Sequence, residues 1–296
     1  MFYKKTCPDF LKHKLRTILK MSEITEIDNI VSVEWLYNHI QDTNLLVFDA
    51  TISKVIGGVS ALETMKLPCA QFFDIKNKFS NRNATFPNTI PSTQQFETAA
   101  QELGINNNSI IVIYDNHGIY SSARAWWLLK TFGLKNVAIL DGGLPEWKTK
   151  GYPLEEKTTN NSVKKGDFKA HYNSDQVVYI DSLDAITKDK KFKIIDARSS
   201  DRFNCIVAEP RTGLRSGTIP SSVNLPFNHV LNGNKLKSKE ELHAVFSALA
   251  EHNQHLVFTC GSGITASVLA LAATVAGFRN SVYDGSWTEY GTLKIS

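Results

Sequence analysis

The chain has 296 residues, of which 42% are hydrophobic and 21% are charged, and its formal net charge is +4 at pH 7. This balance is typical of a globular protein and excludes a disordered or fibrous one. The positive charge is mild and forms no basic cluster interleaved with aromatic residues, so no nucleic-acid partner is indicated and a small anionic substrate fits better.

The first 20 residues are basic, with six lysine and arginine residues against a single acid, Asp9. Apolar residues recur among them at helical spacing, and this pattern resembles a transit peptide. The stretch lacks the usual serines and has one arginine, Arg16, so we interpret residues 1–25 as a solvated basic extension. We therefore expect a cytoplasmic protein, and a mitochondrial one is the alternative if residues 1–20 are a transit peptide.

Four cysteines, Cys7, Cys69, Cys205 and Cys260, lie far apart in the chain and form no C-x-x-C pair. No histidine stands at metal-ligand spacing from them, so neither a metal site nor a disulfide scaffold is predicted. Free thiols are typical of a reducing compartment, which agrees with the cytoplasm. No apolar run reaches the roughly 18 residues of a membrane span, so we expect no membrane partner.

An internal repeat divides the chain into two halves, which sets the expected architecture. Three segments of the first half, each ending a run of apolar residues, have counterparts in the second half at a nearly constant offset. The paired segments are 45–50 with 193–198, 110–115 with 255–260, and 138–143 with 281–286.

In each half, short runs of apolar residues alternate with longer segments of helical period, such as 122–132 and 266–276. Runs that are apolar throughout are typical of parallel strands covered by helices on both faces. The sequence therefore predicts two tandem α/β domains, each with a parallel sheet flanked by helices on both faces, at 26–150 and 175–296. The polar stretch 151–174 is interpreted as a linker that runs over the surface.

The two halves differ at one equivalent position, the end of a buried strand, where the first has Asp115 and the second has Cys260. Gly261 and Gly263 follow the cysteine and permit positive φ and close approach of the backbone. Several amides at the start of the next helix could then surround the sulfur and favour a thiolate. The alternative is that Cys260 is a small buried hydrophobic residue.

A second stretch, 196–220, is dense in arginine, glycine and proline. Arg202 and Arg211 could bind a substrate carboxylate, because a guanidinium group pairs with a carboxylate through two hydrogen bonds. The alternative is a set of exposed arginines that pair with Asp201 and Glu209, and we assign Arg198 to this second group.

The quoted segments resemble the two-domain rhodanese superfamily and, within it, the 3-mercaptopyruvate sulfurtransferases. The sharpest motif is C-G-S-G-I-T-A from Cys260, since thiosulfate sulfurtransferases typically have a basic pair after the cysteine. The R-F and E-P-R segments that contain Arg202 and Arg211 resemble the pair of arginines that binds the substrate carboxylate in this family. The segments around Asp115, 124–127 and 141–144 resemble its non-catalytic first domain.

The resemblance implies a function in which Cys260 takes sulfur from 3-mercaptopyruvate as a persulfide and passes it to a thiol or cyanide acceptor. The thiol acceptor could be a small molecule or a thioredoxin-like protein, and no cofactor is implied. Ser262 resembles the loop hydroxyl that assists the departure of pyruvate. The alternative role for Ser262 and Thr265 is to cap the following helix. The active-site loop would consist of Gly261, Gly263, Ile264 and Thr265, with Cys260 and Ser262 as its catalytic residues.

This sequence departs from the family pattern in the first domain. The family usually has a histidine there, just before P-G-A, that works with the loop serine. The corresponding stretch here runs from Lys66 to Ala70, and the histidine is absent. Lys66 could supply positive charge but is a poor proton relay at its ordinary pKa of about 10.4. His117, in the loop after Asp115, is a possible substitute, and a solvent-exposed histidine is the alternative.

Three other functions compete with this interpretation. A thiosulfate sulfurtransferase is the main alternative, because the missing histidine weakens the case for mercaptopyruvate. A non-catalytic sulfur-binding adaptor is the second. A phosphatase of the C-x5-R type is the third, and it is disfavoured because Ala266 stands where that loop needs its arginine.

Overall fold

The computed structural model describes residues 26–52, 64–157, 163–251 and 253–294, so the predicted basic extension 1–25 lies outside the described residues. The first half contains strands and helices in this order: β1 Ile30–Val31, α1 Val33–His39, β2 Leu45–Asp49, β3 Met65–Lys66, β4 Gln71–Phe72, α2 Thr93–Glu102, β5 Ile110–Tyr114, α3 Ser122–Thr131, β6 Val137–Leu140, α4 Gly143–Thr149 and β7 Glu155–Glu156.

The second half continues with β8 Val177–Val178, α5 Ile180–Ile186, β9 Phe192–Asp196, α6 Ser200–Phe203, β10 Val223–Asn224, β11 Leu231–Asn232, β12 Lys235–Leu236, α7 Lys239–Ser247, β13 His255–Thr259, α8 Ile264–Ala276, β14 Asn280–Tyr283 and α9 Ser286–Leu293. Short 3-10 turns lie at Ser174–Gln176 and Phe227–Val230.

Each half forms a five-stranded parallel sheet, and the strand order is the same in both. The order is β1-β6-β5-β2-β4 in the first sheet and β8-β14-β13-β9-β10 in the second. The central strands β5 and β13 occupy equivalent positions, so Asp115 and Cys260, which follow them, lie at equivalent sheet edges. The predicted repeat and the fold class of tandem parallel α/β domains are confirmed.

The buried character of the central strands explains why apolar runs without alternation form them. All five residues of β5 are buried, as expected for a strand with helices on both faces. The predicted helices form with small differences at their ends. α3 ends at Thr131, and α8 begins at Ile264, two residues before the predicted start, because Gly263 in the left-handed region serves as its N-cap.

One hydrophobic core runs through both halves. It contains side chains of the facing helices α3 and α8, which pack against each other, together with side chains from both sheets. Burial of this apolar surface, at about 25 cal/mol per Å², is the main force holding the halves together. It fixes the carboxyl end of β13 opposite loops of the first half.

The segment 151–174 is mostly exposed where it is described, but it is more than a surface linker. Its strand β7 pairs with β3 of the first half, and Phe168 is buried in the core. The surface course predicted for this segment is therefore wrong at Phe168. The domain boundaries at 26–150, 151–174 and 175–296 stay predictions.

The cysteines do not all carry free thiols. Cys205 and Cys260 are free, whereas Cys69 is in a disulfide, so the expectation of free thiols is wrong at Cys69. Among the helices in the described ranges, none combines the length and the apolar character that crossing a bilayer requires.

Candidate active site

The candidate nucleophile, Cys260, is buried but faces a cavity. Its side chain is 2% exposed and lines a cavity of about 840 Å³ between the two halves. The Gly263 amide donates to Cys260 Sγ at 3.1 Å, and Ser286 Oγ lies 3.9 Å from the same atom. The sequence predicted several amides around the sulfur, and within the described residues the Gly263 amide is the one that reaches it.

The two glycines of the loop have different roles. Gly263 has a φ of +81° and begins helix α8, a conformation that suits glycine because it has no Cβ. Gly261 does not have positive φ, so of the two properties that glycine permits it uses the close approach. A Cβ on Gly261 would lie 3.0 Å from Arg202 Nη2 and 3.6 Å from Arg211 Nη1, so glycine allows both guanidinium groups to approach the loop.

The remaining loop residues also face the cavity, which is lined by Ser262, Ile264 and Thr265. Helix α8 has Gly263 as its N-cap and no side-chain hydrogen bond at the cap. The alternative that Ser262 or Thr265 caps the helix is therefore wrong. Ser262 Oγ instead accepts hydrogen bonds from Asn88 Nδ2 and Arg211 Nη2, both at 3.0 Å.

The two predicted carboxylate-binding arginines, Arg202 and Arg211, lie side by side next to the Cys260 loop. Arg202 is held by Glu209, which accepts from Arg202 Nη2 at 2.5 Å and from Arg202 Nε at 3.3 Å. Arg211 is held by Ser262 through Nη2. Both line the cavity with Cys260, so the structure brings the predicted nucleophile, hydroxyl and guanidinium groups into one site.

Arg198 is part of the core and not an exposed arginine, contrary to the sequence interpretation. It is 2% exposed, and its guanidinium pairs with Asp196 and Glu209 at 2.8 Å each. Burial alone would lower the pKa of Arg198, but the two carboxylates outweigh it and raise the pKa. Glu209 thus bridges a buried structural arginine and the site arginine Arg202, and this contact orients the latter.

Eleven residues of the first half also line the cavity, and the sequence interpretation did not include them. Two of them are Asn88, which contacts Ser262, and Tyr120. Burial, followed by the charge of Cys260, raises the pKa of Tyr120 to about 12, so its phenol keeps its proton at neutral pH. The repeat could have identified Tyr120, because it follows Asp115 by the same spacing as Thr265 follows Cys260. No motif marks Asn88.

Lys66 and His117 do not reach the cavity. Lys66 Nζ pairs with Glu155 at 2.9 Å and donates to the Ala70 carbonyl at 2.6 Å. His117 Nε2 lies 3.2 Å from the Ile52 carbonyl oxygen, and neither residue is among the side chains that line the cavity. The suggestions that Lys66 supplies charge to the site and that His117 substitutes for the missing histidine are therefore wrong.

The equivalent loop of the first half is closed around a carboxylate. Asp115 Oδ1 accepts from the His117 amide, and Oδ2 accepts from the Tyr120 and Ser122 amides, all at 2.8 Å. The Ser122 hydroxyl donates to Oδ2 at 2.7 Å. The backbone amides that follow β5 thus converge on a negative charge, as a loop at the start of a helix favours.

A buried ion pair joins the two halves beneath the site. Arg124 of α3 donates through Nη2 to Asp284 Oδ1 at 2.7 Å, and the side chains are 0% and 2% exposed. The same Nη2 donates to the Asn88 carbonyl, and Asp284 Oδ2 accepts from the Ile90 amide at 2.8 Å. Segment 88–90 is therefore fixed against the Cys260 loop.

The chain thus contains two copies of one α/β domain. The second copy has a cysteine, Cys260, in the loop after its central strand, where the first copy has Asp115. A family model described as a rhodanese-like domain matches residues 32–150 and 179–292, and the chain belongs to this family, with two tandem copies of the domain.

Several relatives are sulfurtransferases. The chain is 35% identical to a 3-mercaptopyruvate sulfurtransferase of Escherichia coli, over 88% of this chain and 94% of that protein. It is 33% identical to a thiosulfate/3-mercaptopyruvate sulfurtransferase of Arabidopsis thaliana, over 91% and 86% of the two chains. Among solved structures, the Escherichia coli 3-mercaptopyruvate sulfurtransferase SseA superposes with a TM-score of 0.79 at 32% identity, covering 88% of this chain and 99% of that one.

Proposed function

We propose that the protein transfers sulfur from 3-mercaptopyruvate to a thiol or cyanide acceptor through a persulfide on Cys260. One observation carries this proposal: two guanidinium groups, Arg202 and Arg211, stand against the backbone of the Cys260 loop in a single cavity. A donor that has both a carboxylate and a transferable sulfur fits this site, because the carboxylate can pair with the guanidinium groups while the sulfur lies near the Cys260 thiol. The same donor is supported by the relatives, one a 3-mercaptopyruvate sulfurtransferase and the other a thiosulfate/3-mercaptopyruvate sulfurtransferase.

In the proposed step, the Cys260 thiolate forms a bond to the donor sulfur while the donor carbon–sulfur bond breaks. The electron pair of that bond stays on the pyruvate fragment as an enolate, and the hydrogen of the donor thiol ends on the pyruvate methyl group. Arg202 and Arg211 hold the carboxylate and stabilise the developing negative charge. The outer sulfur then passes to an acceptor thiol, either a small molecule or a thioredoxin-like protein, and no cofactor takes part. We place the reaction in the cytoplasm, with mitochondria as the alternative.

The choice of donor is tested by comparing 3-mercaptopyruvate and thiosulfate in one assay with cyanide as the acceptor. We expect the larger kcat/KM with 3-mercaptopyruvate, because its carboxylate can pair with both arginines. Thiosulfate is the second candidate, because Lys66 and His117 do not reach the cavity and no first-domain histidine lines it among the described residues. A thiosulfate kcat/KM well above that for mercaptopyruvate would replace the proposed donor.

Replacing Arg211 with alanine is expected to raise KM for 3-mercaptopyruvate about tenfold or more, because a hydrogen bond to a charged group contributes about 1.5–3 kcal/mol. Arg202→Ala should act in the same direction. A donor without a carboxylate, such as inorganic polysulfide, should load Cys260 almost as fast as in the unchanged protein. Arg279→Ala serves as the control, since this exposed arginine lies outside the cavity. Equal losses with both donors would contradict the assigned role.

The adaptor and phosphatase alternatives have their own tests. A non-catalytic adaptor would gain no sulfur on Cys260 when treated with the donor in the absence of reducing agent, as read by mass spectrometry. A phosphatase would hydrolyse a generic aryl phosphate in a Cys260-dependent way. Ala266, at the position where the phosphatase loop needs its arginine, lies buried in α8, which argues against that activity.

A further inference from the structure

The contacts of Ser262 determine the direction in which its hydroxyl can act. A serine hydroxyl offers two acceptor lone pairs and one hydrogen to donate. Ser262 Oγ accepts from Asn88 Nδ2 at 3.0 Å and from Arg211 Nη2 at 3.0 Å. Both partners supply N–H groups, so the two lone pairs are used and the hydroxyl hydrogen is directed elsewhere. Ser262 lines the cavity, so the hydrogen is available to a bound donor.

The orientation of the Asn88 amide is fixed by a second contact. The group that reaches Ser262 Oγ also lies 3.1 Å from the Ser262 carbonyl oxygen. A carbonyl oxygen can only accept, so the atom facing it must be Nδ2 and not Oδ1. Asn88 therefore donates to Ser262 and does not receive its proton.

Asn88 is itself held rigidly by the interface between the halves. Its backbone has a φ of +60°, a conformation that asparagine tolerates better than most residues. Its carbonyl accepts from Arg124 Nη2, which is locked by Asp284, and two residues later the Ile90 amide donates to Asp284. The first domain thus presents one amide group to the loop of the second at a defined position.

We propose that Asn88 is a positioning residue that makes Ser262 a hydrogen-bond donor to the enolate oxygen of the departing pyruvate. This role rests on the proposed sulfur transfer from 3-mercaptopyruvate. Ser262 keeps its proton throughout the step. The hydrogen that completes the pyruvate methyl group comes from the donor thiol. An asparagine does not titrate, so this contribution of the first domain is independent of pH, unlike that of a histidine.

The decisive test compares Asn88→Asp with Asn88→Ala in steady-state assays with 3-mercaptopyruvate. Aspartate has the shape of asparagine but can only accept at Ser262, so it draws the hydroxyl hydrogen away from the substrate. We expect kcat to fall about 10–100-fold in Asn88→Asp and about 3–10-fold in Asn88→Ala, since loss of one oxyanion donor costs up to about 10²–10³. A space-filling role predicts the opposite order, because alanine removes more packing.

Three controls separate this role from charge and stability effects. Asn38→Asp adds the same charge at an exposed position of α1, away from the cavity, and should leave kcat unchanged. Loading of Cys260 by inorganic polysulfide should change less than about twofold in Asn88→Asp, because its leaving group forms no enolate. In a Ser262→Ala background, Asn88→Asp should have no further effect on kcat, because the hydroxyl that Asn88 orients is absent.

The outcomes discriminate between the two proposals. If the unchanged protein shows no turnover of 3-mercaptopyruvate, both the proposed function and the role of Asn88 fail. If it does turn over the donor, the role of Asn88 alone is overturned by any of three results. These are a loss in Asn88→Ala equal to or above that in Asn88→Asp, an equal loss with polysulfide, or an undiminished Asn88→Asp effect in the Ser262→Ala background.

Discussion

Replacement of Cys260 by serine is expected to lower sulfur transfer by more than about 1,000-fold, because a hydroxyl cannot hold the persulfide and removal of a nucleophile costs this much or more in other enzymes. After treatment with 3-mercaptopyruvate, the mass of the unchanged protein should rise by one sulfur atom, and digestion should place it on Cys260. The Cys260→Ser variant should show no added sulfur at this position.

The matched control is Cys205→Ser, since Cys205 is the other free cysteine of the described chain and is exposed. It should keep full activity and the full mass increase. Exposure alone would favour reaction at Cys205, whereas the Gly263 amide and the cavity favour Cys260. If the added sulfur remained in Cys260→Ser and disappeared in Cys205→Ser, the sulfur carrier would be Cys205. That result would refute the proposal.

Replacement of Asp284 by asparagine is expected to lower the free energy of unfolding by about 3–5 kcal/mol, the range measured when one partner of a buried ion pair is removed. The reason is that Arg124 is fully buried and its Nε and Nη1 have no hydrogen-bond partner within the described part of the chain. Asp284 is therefore the main group that compensates the buried positive charge of Arg124. Urea unfolding, followed by fluorescence of the buried tryptophans, measures the change.

The control for this prediction is Glu102→Gln, which makes the same chemical change in an exposed ion pair. Lys78 and Glu102 are 3.0 Å apart, with side chains 60% and 51% exposed, and such pairs contribute little because water screens them. We expect almost no shift in the urea midpoint. A loss in Asp284→Asn as small as that in Glu102→Gln would show that the Arg124–Asp284 pair contributes little to stability and would contradict the prediction.

The architecture was predictable because it depends on local patterns that occur twice. Apolar runs such as 110–114 and 256–258 form strands where helices cover both faces, and the matching segments place these strands at equivalent positions. The ends of helices were less predictable. The start of α8 depends on the left-handed conformation of Gly263, and a glycine in a sequence indicates that such a conformation is possible, not that it occurs.

The candidate site was predictable only where its residues lie in one recognisable stretch. Cys260 and its loop, Arg202 and Arg211 are such residues, and their roles stay predictions. Asn88 was missed because its contact with Ser262 spans 174 positions in the chain, and only packing of the two halves creates it. Arg198 was misassigned for a similar reason, since burial depends on what covers a residue and not on its neighbours in sequence.

The loop around Asp115 bears on how many sulfur atoms we expect each chain to carry. Both copies of the domain end their central strand in a turn whose backbone amides donate to the side chain at its start, Asp115 in the first copy and Cys260 in the second. In the first copy that side chain is the Asp115 carboxylate, which is covalently part of the polypeptide and cannot leave, and three amides and a hydroxyl donate hydrogen bonds to it. In the second copy the equivalent position holds the Cys260 thiol, to which sulfur is added and from which it is removed in the proposed function. Under that proposal the duplicated fold has one fixed anion and one exchangeable one, and we expect each chain to carry a single sulfur.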